Sequence, residues 1–210
     1  MSQALKRFFD FSVALVSLII LLPLMLVICA LVAVTMGRPV IFRQKRPGLH
    51  GRIFTLYKFR TMKNDRDGSG RLLPDEERLT PAGRFLRSSS LDELPELINV
   101  LFGQMSLVGP RPLLPEYLDI YTPEQARRHG VRPGLTGIAQ INGRQTIKFS
   151  KRLQYDVWYV DHWSLWLDFK TIVLTLPAVF CKTGVILGQE VTEVDDLGLA
   201  DANAEKGGLQ

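Results

Sequence analysis

Phe11-Ser-Val-Ala-Leu-Val-Ser-Leu-Ile-Ile-Leu-Leu-Pro23-Leu-Met-Leu-Val-Ile-Cys29-Ala-Leu-Val-Ala-Val-Thr-Met36 contains no charged residue. An α-helix needs about 20 apolar residues to cross the hydrocarbon core of a bilayer, so this stretch predicts membrane embedding. A cleavable leader fits poorly, because its apolar region is about 7–15 residues long and ends in a small-x-small site. Pro23 interrupts the middle of the run, removes one backbone donor and predicts a kink. Lys6 and Arg7 precede the run, and Arg38, Arg43, Lys45 and Arg46 follow it. Basic residues favour the cytoplasmic side. A chain that bends at Pro23 and returns through one leaflet keeps both clusters there. A tilted, kinked single span is the alternative, and the residues alone leave the two open.

Around this segment lies a chain of 210 residues, 46% hydrophobic and 22% charged, with a net charge of +5. Such a composition builds a packed domain and excludes general disorder. The basic balance suits an anionic partner: a phosphorylated substrate, an acidic lipid surface or nucleic acid. No nucleic-acid-binding module is present, which sets that class aside. Cys29 and Cys181 offer no disulfide framework, and no Cys or His spacing suggests a metal site. His50, His129 and His162 read as ordinary surface or core residues.

From Pro39 to Met62 the sequence predicts two short strands around Pro47–Gly51, the second being the aromatic and β-branched run Ile53 to Arg60. Asn64 to Pro74 is polar and Gly-rich and reads as a loop. Leu91, Leu94, Leu97, Ile98 and Leu101 form a helical stripe. Gly103 to Pro115 is a stiff loop, and Thr122 caps a short helix with Pro123 at its first position. The chain is helical again from about Ile147. Trp158, Tyr159, Trp163, Trp166 and the apolar run Phe169 to Phe180 fit either a membrane-surface helix or a buried one. The tail after Glu190 has few large apolar residues.

The chemistry concentrates in Arg87-Ser-Ser-Ser-Leu-Asp92-Glu93-Leu-Pro95. Ser90 and Glu93 have capping-box spacing, which explains adjacent acids at a helix start without any function. Pro95 fits that reading badly, and a helix starting near Asp92 tolerates it better. A helix N-terminus would keep a carboxylate ionised, suiting a nucleophile or a ligand for a hard cation. A carboxylate can attack phosphorus and divide one hard transfer into two easier ones. Arg111, fixed between Pro110 and Pro112 after Gly109, offers a planar fork that matches phosphate oxygens. Lys58, Arg60, Arg87, Arg132 and Arg144 complete a candidate cationic cradle for a diphosphate.

Tyr57-Lys-Phe-Arg-Thr-Met62, Ser89-Ser-Leu-Asp-Glu-Leu-Pro95, Met105-Ser-Leu-Val-Gly-Pro-Arg-Pro-Leu-Leu114, Arg132-Pro-Gly-Leu-Thr-Gly137 and Tyr155-Asp-Val-Trp-Tyr159 resemble the bacterial sugar transferase family, in particular its small monotopic phosphoglycosyl transferases. The resemblance runs from the membrane segment to about Gly188. It implies an α+β, helix-dominated fold: a re-entrant membrane helix over 1–38, a catalytic domain over 39–188 with a small β-hairpin and surface amphipathic helices, and a tail over 189–210. It implies transfer of a sugar 1-phosphate from a UDP-sugar to a polyprenyl (undecaprenyl) phosphate, at the cytoplasmic face of a bacterial inner membrane. Asp92 would be the covalent nucleophile, Glu93 its catalytic partner, and both would hold Mg2+. Arg87, Arg111 and Asp156 would be active-site residues, and Lys58 and Arg144 phosphate or nucleotide contacts. A homodimer is left open. Relatives often carry Ser-Pro at the break, where this chain has Leu22-Pro23, so the hydroxyl that would satisfy a freed carbonyl is missing. A non-catalytic membrane-surface scaffold and a nucleotide-sugar hydrolase are the competing readings.

Overall fold

The computed structural model describes residues 3–143, 146–180 and 195–198. Arg144, Cys181 and most of the tail expected from 189 lie outside the described residues. The architecture is α+β and dominated by helices, with two sheets of two strands each.

Helix α1 runs from Gln3 to Met36, with Pro23 inside it. Asp10 and Ala14 are buried near one end, and Ile28, Val32 and Met36 near the other. Their spacing of about four residues places them on one helix face, as the helical repeat requires. Ala14 joins a core cluster with Val100, Met105 and Tyr159, while Ile28, Val32 and Met36 join another with Phe59 and Leu86. The other face is apolar and uncovered; Ile19, Ile20, Val27 and Val34 are exposed. This is the one described helix long and apolar enough to cross a membrane.

The expected hairpin forms from β1 (Ile41–Pro47) and β2 (Ile53–Phe59), antiparallel, with Ile41 opposite Phe59 and Pro47 opposite Ile53. Gly51, at φ +73°, makes the tight return between them. Side chains alternate along a strand, so Phe54, Leu56 and Lys58 share one face of β2. Phe54 and Leu56 are buried in the core, and Lys58 is carried with them toward the interior.

Beyond the polar loop come α2 (Asp75–Arg78) and α3 (Pro81–Ser88), the latter capped by Thr80 Oγ1, which accepts from Gly83 N at 2.9 Å. Gly83 lies so close to the Thr61 carbonyl that a Cβ there would collide with it. The stripe read as one helix over Leu91–Leu101 is instead divided. Leu91–Glu93 is a 3₁₀ turn, and α4 covers Glu96–Leu101 with Pro95 as its N-cap. The division follows from Pro95, which has no N–H for a helical ladder. Ser90 makes no capping bond and sits at φ +57°, so the capping box suggested by Ser90 and Glu93 does not form.

Asn99 on α4 is fully buried and acts as a substitute strand for the free edge of β2. Its amide donates to Thr55 O at 2.7 Å and accepts from Tyr57 N at 3.1 Å. After α4, β3 (Ser106–Val108) pairs in parallel with β4 (Gly134–Thr136). Gly109 and Gly134 approach so closely that a side chain on either would strike the other's backbone. The short α5 (Pro123–Ala126) has the Thr122 cap and Pro123 start that the sequence predicts, with Gln125 completing a capping box. Then follow α6 (Ile138–Ile141), α7 (Phe149–His162) and α8 (Leu165–Phe180). The aromatic region has one buried and one exposed face. Tyr159, Asp168 and Thr171 are buried, whereas Trp158, Trp166, Phe169 and Leu176 are exposed.

Candidate active site

Three carboxylates meet within one short segment, and their surroundings treat them differently. Glu93 is held by two cations: Lys58 Nζ lies 2.8 Å from Oε1, and Arg111 grips the same carboxylate through both terminal nitrogens. Burial alone would favour its protonated form, but Arg111 and Lys58 overcome that and hold Glu93 well below the usual carboxylate range. Glu93 in turn raises Arg111 above its ordinary value.

Asp92 is 8% exposed and receives no hydrogen bond among the described residues. Burial, reinforced by the negative charge of Glu93, pushes its carboxyl up to about 6, against smaller opposing effects of Lys58, Arg111 and Arg87. The expectation that a helix N-terminus keeps Asp92 readily ionised is therefore corrected: Asp92 sits in a 3₁₀ turn, and desolvation decides its titration. Glu96, 1% exposed, is pushed up to about 7 by burial and by Glu93. Lys58 Nζ approaches Glu96 Oε1 to 3.2 Å, ion-pair distance, although that oxygen has no well-angled hydrogen bond. The cluster thus holds one carboxylate firmly charged and paired, one largely buried with no hydrogen bond among the described residues, and one fully buried behind them.

The cations come from separated segments. Lys58 arrives on the inward face of β2. Arg87 ends α3, and its Nε donates to Thr61 Oγ1 at 2.9 Å. Arg111 extends from the Gly109-Pro110-Arg111-Pro112 loop that follows β3. A second, buried ion pair supports that loop: Arg128 Nη2 bonds Asp156 Oδ2 at 2.7 Å and Arg111 O at 2.6 Å. Asp156 therefore acts through Arg128 on the backbone of Arg111. On the loop's far side, Arg46 Nη1 donates to Pro112 O at 3.3 Å. Burial and the nearby Arg111 lower the Arg46 guanidinium to about 10, and it adds another positive charge beside the carboxylates.

Of the residues singled out in the sequence, Lys58, Arg87, Asp92, Glu93 and Arg111 come together, and Gly109, Pro110 and Pro112 carry the arginine. Asp156 stands behind the site. Arg60 is directed elsewhere: Nη1 donates to Arg38 O at 3.1 Å, at the end of α1. Arg132 Nε bonds Gly103 O at 2.9 Å, a structural contact. The sequence reading missed Glu96, Arg128 and Arg46. The Glu-Leu-Pro-Glu spacing puts Glu96 one turn beyond Glu93, and that was its available signal; Arg128 and Arg46 gave none apart from charge.

A family model described as bacterial sugar transferase matches residues 1–182. The chain belongs to the bacterial sugar transferase family. Among its relatives, the uncharacterized sugar transferase EpsL of Bacillus subtilis is 52% identical over 200 residues, covering 95% of this chain and 99% of that protein. The UDP-glucose:undecaprenyl-phosphate glucose-1-phosphate transferase of Klebsiella pneumoniae is 45% identical over 186 residues, covering 83% of this chain and 40% of that protein. The undecaprenyl-phosphate galactose phosphotransferase of Salmonella typhimurium is 38% identical over 200 residues, covering 87% of this chain and 42% of that protein. The chain thus spans nearly all of the Bacillus protein and about two-fifths of the other two.

In this family member the raised Asp92 has a consequence for stability. Its folded value, about 6, lies above the ordinary 3.8, so the ionised carboxylate costs the folded state free energy. That cost is absent below the ordinary value and complete above the folded one. Asp92→Asn should therefore raise the apparent melting temperature at pH 7.5 without divalent cations, reflecting on the order of 1–3 kcal/mol. The gain should shrink toward zero as the pH approaches 4. Thermal unfolding in detergent across that range checks it, and equal or lower stability of the variant at pH 7.5 would contradict it.

Proposed function

We propose that this chain moves a sugar 1-phosphate from a UDP-sugar to a polyprenyl phosphate, through a phosphosugar carried on Asp92. The observation that carries this reading is the unequal treatment of Asp92 and Glu93. Glu93 is committed to Lys58 and Arg111, whereas Asp92 has no hydrogen bond among the described residues and feels the positive charges of Lys58, Arg111 and Arg87. The printed names of the Klebsiella and Salmonella relatives support the substrate class.

In the first step an Asp92 carboxylate oxygen attacks the phosphorus that bears the sugar. An O–P bond forms to Asp92, the diphosphate P–O bond breaks, and UMP leaves with the bonding electrons. In the second step an oxygen of the polyprenyl phosphate attacks the same phosphorus. The Asp92–phosphorus bond breaks, giving a polyprenyl diphosphate sugar and the free carboxylate. Phosphoryl transfer depends on positioning and on charge neutralisation, which Arg111, Lys58, Arg87 and Arg46 are placed to supply. A value near 6 leaves Asp92 mainly ionised at neutral pH.

Mg2+ is the proposed cofactor. Among the described residues no three His, Cys, Asp or Glu side chains are arranged to hold a metal ion by themselves. Mg2+ commonly takes only one or two carboxylates and completes its shell with substrate phosphates and water, so Asp92 fits this role. Glu93 would join by exchanging a cation for the metal. Bound there, Mg2+ would neutralise charge on the diphosphate.

We further propose that α1 enters and leaves a single leaflet, at the cytoplasmic face of the inner membrane. A helix of 34 residues is about 51 Å long at 1.5 Å per residue. Yet Arg7 near one end donates to Val100 O and Leu101 O at 2.6 Å, and Met36 at the other packs with Phe59 and Leu86. Contact of both ends with one domain supports a helix that does not separate them across a bilayer.

Two experiments test these readings. Purified protein with Mg2+ and a panel of UDP-sugars, without acceptor, should gain the mass of a sugar phosphate, and Asp92→Asn should not. Release of UMP only after undecaprenyl phosphate is added, with no adduct from any donor, would overturn the covalent step. For topology, single cysteines at Gln3 and Lys45 in a variant lacking the native cysteines should both react with a membrane-impermeant reagent from the cytoplasmic side. Labelling from opposite sides would establish a span.

A further inference from the structure

A cleft of about 530 Å3 opens where α1 passes into β1, joining the apolar Val40, Ile41 and Phe42 to Arg43, Arg60 and Asn64. Its volume falls in the ~300–1,000 Å3 range of ligand sites. No carboxylate lines it.

Arg60 is 6% exposed. Its Nη1 bond to Arg38 O closes the end of α1, which is the structural explanation for a basic residue there. That explanation leaves Nε, which is buried with no hydrogen-bond partner among the described residues. Leaving a donor buried and unpaired is unfavourable, more so when the group is charged. Arg43, at the rim, is exposed and likewise has no ion-pair partner among the described residues. Two guanidinium groups without counter-charges thus line one concavity, a combination that recognises phosphate.

The apolar residues narrow the ligand further. Val40, Ile41 and Phe42 follow the membrane helix after the three residues Gly37-Arg38-Pro39, and Phe42 is exposed. A nucleobase could stack on Phe42 alone, whereas a hydrocarbon chain attached to the phosphate can bury its length along Val40, Ile41 and Phe42 together. The cleft also adjoins the site. Thr61, next to Arg60, accepts from Arg87 Nε at 2.9 Å, and Arg87 is one of the cations acting on Asp92.

We propose that this cleft holds the acceptor, a phosphomonoester on an isoprenoid chain. Arg60 at its floor and Arg43 at its rim take phosphate oxygens, and the chain lies along Val40, Ile41 and Phe42. The assignment rests on the transferase reading, in which a lipid phosphate must approach the phosphosugar at Asp92. It separates the two substrates, with the donor diphosphate among Lys58, Arg87 and Arg111 and the lipid phosphate on the far side of Thr61.

The test reads binding rather than turnover, so it can fail independently of the transferase reading. Native mass spectrometry of the full chain would be titrated with undecaprenyl phosphate, with undecaprenol and phosphatidylglycerol as comparators. Wild-type protein should prefer undecaprenyl phosphate to both. Arg43→Gln, which lies on the surface and spares the fold, and Arg60→Gln should each weaken that binding about tenfold. Arg60→Lys, which keeps the charge and loses the fork, should fall between them and wild type. Unchanged affinity in Arg43→Gln and Arg60→Lys would overturn the assignment. So would an equal loss for phosphatidylglycerol, which would make the cleft a general contact for bilayer phospholipid.

Discussion

Glu93 placed between Lys58 and Arg111 is the interaction on which the site depends. It draws the inward face of β2 and the loop after β3 toward one turn of chain, although the three residues lie far apart in sequence. Such a pair does not have to stabilise the fold, because desolvating three charges offsets much of their attraction. Its effect is electrical. By absorbing the two strongest cations, Glu93 keeps its own charge and raises the titration of Asp92 beside it. In the proposed mechanism one carboxylate is a fixed counter-charge and the other the reacting group. On the same proposal an arriving diphosphate would meet Arg111 and Lys58 already in position and exchange with Glu93 for them.

Besides the Arg46 bond to Pro112 O, three arrangements hold the loop that carries Arg111. Arg128 and Asp156 fix the Arg111 carbonyl, and the close approach of Gly109 and Gly134 fixes the bend before it. The third support reaches the membrane segment. Lys6 on α1 bonds Asp168 on α8 at 2.5 Å and Val108 O at 3.2 Å, just ahead of Gly109. Asp168 also accepts from Trp163 Nε1 at 3.2 Å and lies 2.7 Å from the Tyr159 hydroxyl. Burial and the Asp168 charge raise that hydroxyl above its ordinary value and keep it a donor. The same buried network therefore ties α1 and α8, two helices with exposed apolar faces, to the strand that leads into the Arg111 loop. A change in how α1 sits would reach Val108 through Lys6.

Much of this was legible in the residues. An uncharged apolar run, a hairpin punctuated by glycines and a Thr-Pro helix start are local signals, and each appears where it was expected. Asp92, Glu93 and Arg111 were legible through local sequence and the family resemblance. What stayed hidden depends on distant partners. Nothing beside Asp156 in the chain announces Arg128, and the polar character of Asn99 gives no hint that it completes the edge of β2. Arg60 shares a motif with Lys58, yet Lys58 points inward with Phe54 and Leu56 while Arg60, beyond the end of β2, turns back to α1. The titration of Asp92 was misread for a similar reason. A helix terminus can be inferred from sequence, but the burial that outweighs it is a property of the packed domain.

The central claim is that Asp92, and neither Glu93 nor Glu96, is the carboxylate that reacts. Protein loaded with a UDP-sugar can be treated with borohydride, which reduces an acyl phosphate to an alcohol, and the modified position read by peptide sequencing in a mass spectrometer. Homoserine is expected at position 92, with Glu93 and Glu96 unchanged. Reduction at Glu93 or Glu96 with Asp92 intact would contradict it, and would mean that the ion pairs with Lys58 and Arg111 activate a carboxylate instead of holding it aside.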